Sequence, residues 1–347
     1  MAYQGTLTFA PAGIDACALW RMFMPHLNIP NSRFLFTEGI PRINEMAECD
    51  TLVVQRLMME GNEKFLNIAR KFGFKIIYDL DDNVWNMPNA NPAKAFFKQP
   101  GAIEGLRHCS EWADAITVST RELKREVERH MDYRINKHTK KHIPVIHIDN
   151  AVDLRIFHAP LIPRDEDKVV IGWGGSNTHL GDVADVWRLL PRLLEKYPNV
   201  FLEFAGQDPP QEIRNHERVT IRPWCHISEY ANRLATWKWD IMLAPLEEHK
   251  FNESKSCIKM IEAGCIEAVC LAQDIAPYQY FASKSKGLEW CLCYIDSHWE
   301  KKLSKLIEDK SFRQDMGKQM RQNVEDNFNI TRTRDQWLEL QSSVLLP

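Results

Sequence analysis

Val169-Val170-Ile171-Gly172-Trp173-Gly174-Gly175-Ser176-Asn177-Thr178-His179 is the stretch on which the reading of the fold turns. An apolar, β-branched run ends in paired glycines, and a helical pattern follows. That order predicts a buried strand, a tight turn and a helix start. Glycines let the backbone approach a ligand closely, and a helix start presents free N–H groups, so the junction suits a diphosphate. A Gly-rich turn also serves as a plain strand-to-helix connection, and the stretch alone leaves both readings open.

The same unit recurs on either side. Strand-like runs at 6–9, 33–36, 51–54, 75–78, 115–118 and 145–148 come before it. The second set comprises 169–173, 200–204, 219–221, 241–244, 268–271 and 288–294. Helical patterns separate most of them, which predicts parallel sheets built from βαβ units. Residues 149–168, with Pro160, Pro163 and a charged run at 164–168, divide the two sets. The expected plan is a domain over 1–150, a second over 151–330, and a final helix over 331–347 that carries Trp337 and can cross back. Ser119 with Glu122, and Ser297 with Glu300, have capping-box spacing and predict helix starts.

The chain has 347 residues with a formal net charge of -3, so no global field draws it to nucleic acid or an anionic membrane. Its nine cysteines include no CxxC pair. They read as reduced, mostly buried thiols of a cytoplasmic protein rather than as a zinc site. No apolar run approaches the roughly 20 residues of a membrane helix, which leaves room for a peripheral membrane contact only.

Two further stretches carry chemistry. In residues 251–262 a helix starting near Ser254 would set Lys255, Lys259 and Glu262 on one face. Its first turn, with Lys255 and Ser256, could hold negative charge, and Glu262 could accept two ribose hydroxyls. A solvated Lys–Glu pair has the same spacing. In Tyr78-Asp79-Leu80-Asp81-Asp82-Asn83-Val84-Trp85, carboxylates gather at the carboxyl end of an apolar strand, which in open α/β sheets faces the ligand crevice. They could act as acid or base, bind a hard cation, or cap the next helix.

Together these segments resemble the retaining GT-B glycosyltransferases of the family-four type, in particular a bacterial and phage subset. The resemblance rests on Asp81-Asp82-Asn83-Val84-Trp85, the Ala-Asp-Ala-Ile-Thr-Val-Ser-Thr run at 113–120, and Asn150-Ala151-Val152-Asp153. It continues in the Gly-Ser-x-Thr-His turn at 175–179 and the Lys-Ser-x-x-Lys-x-x-Glu run at 255–262. It spans nearly the whole chain in the expected order. It implies an α/β protein with two Rossmann-like domains facing a central cleft, the first for the acceptor and the second for a UDP- or GDP-sugar. It implies that Gly174, Gly175 and Ser176 approach the donor diphosphate, that Lys255 and Ser256 contact phosphates or sugar, and that Glu262 takes the ribose. The base would lie near Trp224. Asp81, Asp82 and His179 are the candidates for catalysis, and Arg21 and Trp85 for the acceptor side. No cofactor or metal is expected. One departure is Ser254, where the wider family often has a Glu; Glu253 is displaced by one residue.

The acceptor stays open between a glycan or lipid-linked intermediate and hydroxymethylated pyrimidines in DNA. A metal-dependent GT-A enzyme built on Asp79-Leu80-Asp81 and a non-catalytic nucleotide-sugar binder are the rival classes. Residues 121–142 hold eight Lys or Arg against four Asp or Glu, with three His. This stretch joins a helix to the strand at 145–148, so it is expected as a surface loop at the amino end of the sheet, away from the crevice.

Overall fold

The computed structural model of the chain describes residues 6–36, 42, 49–59, 61–99, 101–132, 134–157, 164–165, 167–176 and 182–345. Twelve strands form two separate parallel sheets of six. The first contains β1 (Leu7–Ala10), β2 (Ser32–Phe34), β3 (Thr51–Gln55), β4 (Lys75–Leu80), β5 (Ala115–Val118) and β6 (Val145–His147), in the order β2-β1-β3-β4-β5-β6. The second contains β7 (Val169–Gly174), β8 (Val200–Ala205), β9 (Val219–Arg222), β10 (Ile241–Ala244), β11 (Val269–Gln273) and β12 (Leu292–Cys293), in the order β12-β11-β10-β7-β8-β9. Winding reverses between β1 and β3 in the first sheet, and between β7 and β10 in the second. Beyond the carboxyl ends of the strands at such switch points lie the crevices in which α/β proteins bind ligands.

Central strands are buried on both faces, as helix-covered parallel sheets require. All of β3 and β10 is buried. Trp239, fully buried, lies flat against β7 because Gly172 has no side chain: a Cβ there would fall 1.9 Å from the indole ring. The Trp239 Nε1–H donates to Glu203 at 2.8 Å, so the large ring is seated with its polar edge satisfied.

The body of the last helix, Ile330–Leu345, covers the first sheet, while its first residue, Ile330, packs in the core of the second. Trp337 meets Phe9 of β1 edge-on at 5.5 Å, in a cluster with Leu7, Met22, Val53 and Ile77. The chain returns beside its own linker: Val152 N–H donates to Phe328 O at 2.8 Å and Ile330 N–H to Val152 O at 2.9 Å.

Several local expectations give way. Thr120, not Ser119, caps the helix Arg121–His130, accepting from Leu123 N–H at 3.0 Å, while the Ser119 hydroxyl turns to Asp81 O. Ser297 lies inside a helix that begins at Asp296, and Ile295, which has no capping side chain, precedes it. The run at 288–294 is a 3-10 turn, Leu288–Cys291, ending in the two residues of β12.

Candidate active site

Loops at the carboxyl ends of both sheets meet. Asn83, after β4, donates its amide to the Ser254 hydroxyl at 3.0 Å. The Thr120 hydroxyl, after β5, donates to Ser254 O at 2.8 Å. Asn150, after β6, donates to the Ser256 hydroxyl at 2.8 Å. Ser254 and Ser256 belong to the loop after β10, so the two crevices open toward each other.

On the C-terminal side, Gly174 ends β7 and Gly175 begins the turn, its N–H held by Ala205 O at 3.0 Å. Gly206, at the end of β8, has φ +89° and lies so close that a Cβ would come within 2.6 Å of Gly175 O. Trp224 stands beside Gly206 with 75% of its surface exposed, a flat apolar face at the carboxyl end of β9. His179 lies outside the described residues. Asp182, just beyond the turn, accepts from Asn252 at 2.7 Å and from Glu247 N–H at 3.0 Å, which joins the turn after β7 to the loop after β10.

Residues 250–265 are not one helix. A short helix, Lys250–Glu253, ends at Ser254, and a second, Ile258–Cys265, starts after Cys257. The expected helix start near Ser254 is therefore wrong. Ser254 bonds back to Lys250 O at 2.9 Å and outward to Asn83, which fixes a break there. Lys255 and Ser256 sit in the connection ahead of the second helix. Burial pushes the Lys255 ammonium below its ordinary range, and the carboxylates of Asp182 and Asp82 oppose that effect from either half. Its Nζ lies 5.0 Å from the centre of the Phe251 ring. Glu262, 2% exposed, accepts from Lys259 at 2.9 Å and bonds the Tyr230 hydroxyl. This is the Lys–Glu pair that the spacing also allowed. Glu253 is exposed, and Ser254, where a Glu is frequent in the resembled family, is spent on joining the halves.

On the N-terminal side, Asp81 and Asp82 follow β4. Arg56, in the loop after β3, has φ +45°, a strained conformation for a side-chain-bearing residue. Its guanidinium lies 3.2 Å from Asp81 and 3.1 Å from Asp15. Burial and then the Asp81 carboxylate push Asp82 up to about 6, against Arg56 and Lys255. Burial likewise pushes the Cys17 thiol up. Cys17 Sγ and one oxygen each of Asp81 and Asp82 lie within 4.8 Å of one another, close enough to share a cation. The Arg56 guanidinium already occupies the Asp81 side of that group.

Arg21, expected to face the acceptor, is turned inward and is 2% exposed. It donates to Asp79 at 2.6 Å, to Ile148 O at 2.6 Å and to Asn150 at 3.1 Å. The physical reason is the fully buried Asp79 carboxylate, which needs a cation beside it. Arg21 thus ties β4 and β6 together beneath the cleft. Trp85 lies half-buried with its ring stacked on His130, 4.9 Å between centres and 5° between planes. Arg56, the Asp15–Cys17 helix start, Asp182 and Tyr230 join the site without a sequence signal: they come from four separate segments, and only the topology assembles them.

No protein-family model and no curated protein matches the chain. Among solved structures, sucrose-phosphate synthase from Thermosynechococcus elongatus superposes with a TM-score of 0.67 at 13% identity, over 99% of each chain. HepE from Anabaena, in complex with UDP and glucose, gives 0.64 at 11% identity, over 98% of this chain and 100% of that one. A glycosyltransferase from Rickettsia africae gives 0.63 at 12% identity, over 99% and 100%. The chain has the two-domain, Rossmann-like fold of the GT-B glycosyltransferases.

Proposed function

We propose that this protein is a glycosyltransferase that moves a sugar from a UDP- or GDP-sugar to an acceptor hydroxyl. The observation that carries the reading is the meeting of two switch-point crevices at Ser254–Ser256, with Lys255 between Asp182 of one half and Asp82 of the other. HepE, a structural neighbour, holds UDP and glucose in its crystals, which supports a donor of that class.

In this reading the donor diphosphate lies over Gly174, Gly175 and Ser176, and Lys255 and Ser256 meet its charge. Trp224 offers its exposed face to the base. Glu262 takes the ribose hydroxyls on lone pairs that Lys259 and Tyr230 leave over. The acceptor enters on the side of Asp82 and Trp85. Transfer proceeds with retention. The acceptor oxygen bonds to the anomeric carbon as the bond to the diphosphate breaks, and the departing diphosphate takes the acceptor proton. The protein positions both substrates and stabilises the leaving charge with the Lys255 ammonium. In this reading that cation does the work for which other enzymes use a metal. Nine free thiols suit a reducing, cytoplasmic setting.

Calorimetry with UDP, GDP and their sugars tests the donor site. Glu262→Ala should weaken nucleoside diphosphate binding by about 1–3 kcal/mol, the worth of hydrogen bonds to a charged acceptor. Unchanged affinity would remove Glu262 from the site. The best donor is then offered to glycans and to hydroxymethylated DNA, with and without EDTA. Transfer that survives EDTA is expected. Donor binding with no consumption would point to a binder, and strict dependence on Mn²⁺ to a metal-assisted site.

A further inference from the structure

The basic loop at 131–142 takes no part in the cleft, because it enters β6 at the amino end of the first sheet. Asn136 in that loop donates to Trp112 O at 3.3 Å and Ala113 O at 2.7 Å. Arg70 donates to the same Trp112 carbonyl at 3.0 and 2.7 Å. Arg70 stands near the end of the helix Asn62–Lys71, so Trp112 joins two exposed segments, 71–75 and 137–141, into one face.

That face is amphipathic. On the helix and its cap, Lys64, Ile68, Lys71 and Phe72 are all exposed, at the i, i+4, i+7 and i+8 positions of one side. Gly73 has φ +88°, and Phe74 N–H bonds back to Ala69 O at 3.2 Å, the turn that commonly ends a helix. Such a turn accounts for the seating of Phe74. It leaves Phe72 62% exposed, its ring 6.4 Å from that of Phe74. Two carboxylates at this seam are spent, while Asp132 at the start of the loop is exposed. Glu111 holds Lys137 at 2.7 Å and Arg107 at 3.5 Å, and Asp114 holds Arg70 at 2.7 Å. Among the described residues, Lys64, Lys71, Lys75 and Lys141 have no carboxylate partner.

We infer that this face docks on an anionic lipid bilayer, with Phe72 entering the headgroup boundary and the lysines around it meeting lipid phosphates. Unpaired lysines spaced around protruding apolar side chains fit an interface that is charged outside and oily within. A duplex backbone would use the cations and leave Phe72 and Ile68 without a partner. The face also lies at the opposite end of the sheet from the cleft, so a ligand bound there is not the acceptor. The inference therefore stands apart from the proposed activity.

Co-sedimentation of the full chain with phosphatidylcholine vesicles, with and without phosphatidylglycerol, tests it at low and high salt. Binding is expected only to the anionic vesicles and is expected to weaken with salt. Phe72→Ala should lower the partition coefficient by about tenfold, the loss of one inserted ring. Phe72→Leu should restore it. Lys71→Glu with Lys75→Glu should lower it by about tenfold or more. Thermal melts of each variant, matching the parent, show that the fold is intact. Failure to sediment with anionic vesicles at low salt would overturn the inference. So would equal binding by Phe72→Ala, or lysine-dependent binding to a DNA duplex without vesicle binding.

Discussion

Asp82 is held at a cost. Its folded pKa, about 6, stands above the usual 3.8 of an unfolded Asp. The native state therefore binds the proton more tightly than the unfolded chain. The stabilisation this gives is fully present below about pH 4 and is lost as pH rises through 6. Above that, the charged carboxylate opposes folding by about 1–3 kcal/mol, roughly 1.4 kcal/mol per unit. Asp82→Asn should thus melt higher than the parent at pH 7.5 and no higher at pH 4, while transfer falls further than donor affinity. Melting curves at the two pH values check the first half, and steady-state kinetics on both substrates the second. A destabilised variant at pH 7.5 would assign Asp82 a structural role. The sequence made this carboxylate visible by its position after an apolar strand. It could not reveal Arg56, whose left-handed backbone and two carboxylate partners depend on three loops meeting. Arg21 misled for a related reason. Its role is set by Asp79, 58 positions away, and a helix pattern says nothing of such a partner.

Elements were legible where their pattern is local. The central strands fall on short apolar runs bounded by turn residues, because burial on both faces leaves that mark on a parallel strand, whereas the edge strands β2 and β9 are only partly buried and carry it weakly. The break at 254–257 was not legible. Lys255, Ser256 and Lys259 are compatible with a continuous helix, and it is the Asn83–Ser254 contact across the cleft that favours the interruption. The second helix, Ile258–Cys265, is positioned instead by close packing on Lys310–Asn327. A Cβ on Gly264 would fall 2.5 Å from Val324 Cγ2 and 2.7 Å from Met320 O. The backbone oxygen cannot yield without moving the helix. Gly264→Ala should cost about 1–3 kcal/mol through overpacking. It should also weaken nucleoside diphosphate binding, since Glu262 rides on the displaced helix. Denaturant melts and calorimetry on one preparation read both effects. A loss of stability with unchanged affinity would separate this helix from the donor site.

At the scale of the whole molecule, the two sheets are linked by more than the segment between them. The helix Ile330–Leu345 follows the second sheet in the chain yet completes the core of the first. Its Trp337 is 1% exposed and rests on Phe9 of β1. The crossing strand of chain is pinned to the outgoing one at Val152, between Phe328 and Ile330. The N-terminal half therefore depends on a helix that is reached only after the C-terminal half has been traversed, whereas the second sheet has its own core without Trp337. Replacing Trp337 by Ala removes a large buried ring, which in cores costs about 3–5 kcal/mol. The loss should fall on the first sheet alone. Calorimetric unfolding, expected as closely spaced transitions in the parent, should separate in Trp337→Ala into an early and a late one. UDP binds only the native C-terminal half in the proposed reading, so it should raise the late transition and leave the early one in place, by mass action. Transfer should be lost at temperatures between the two, while UDP affinity persists. A single cooperative transition shifted as a whole would instead mean that the contacts at Ser254–Ser256 and Val152 couple the halves more tightly than either core holds itself.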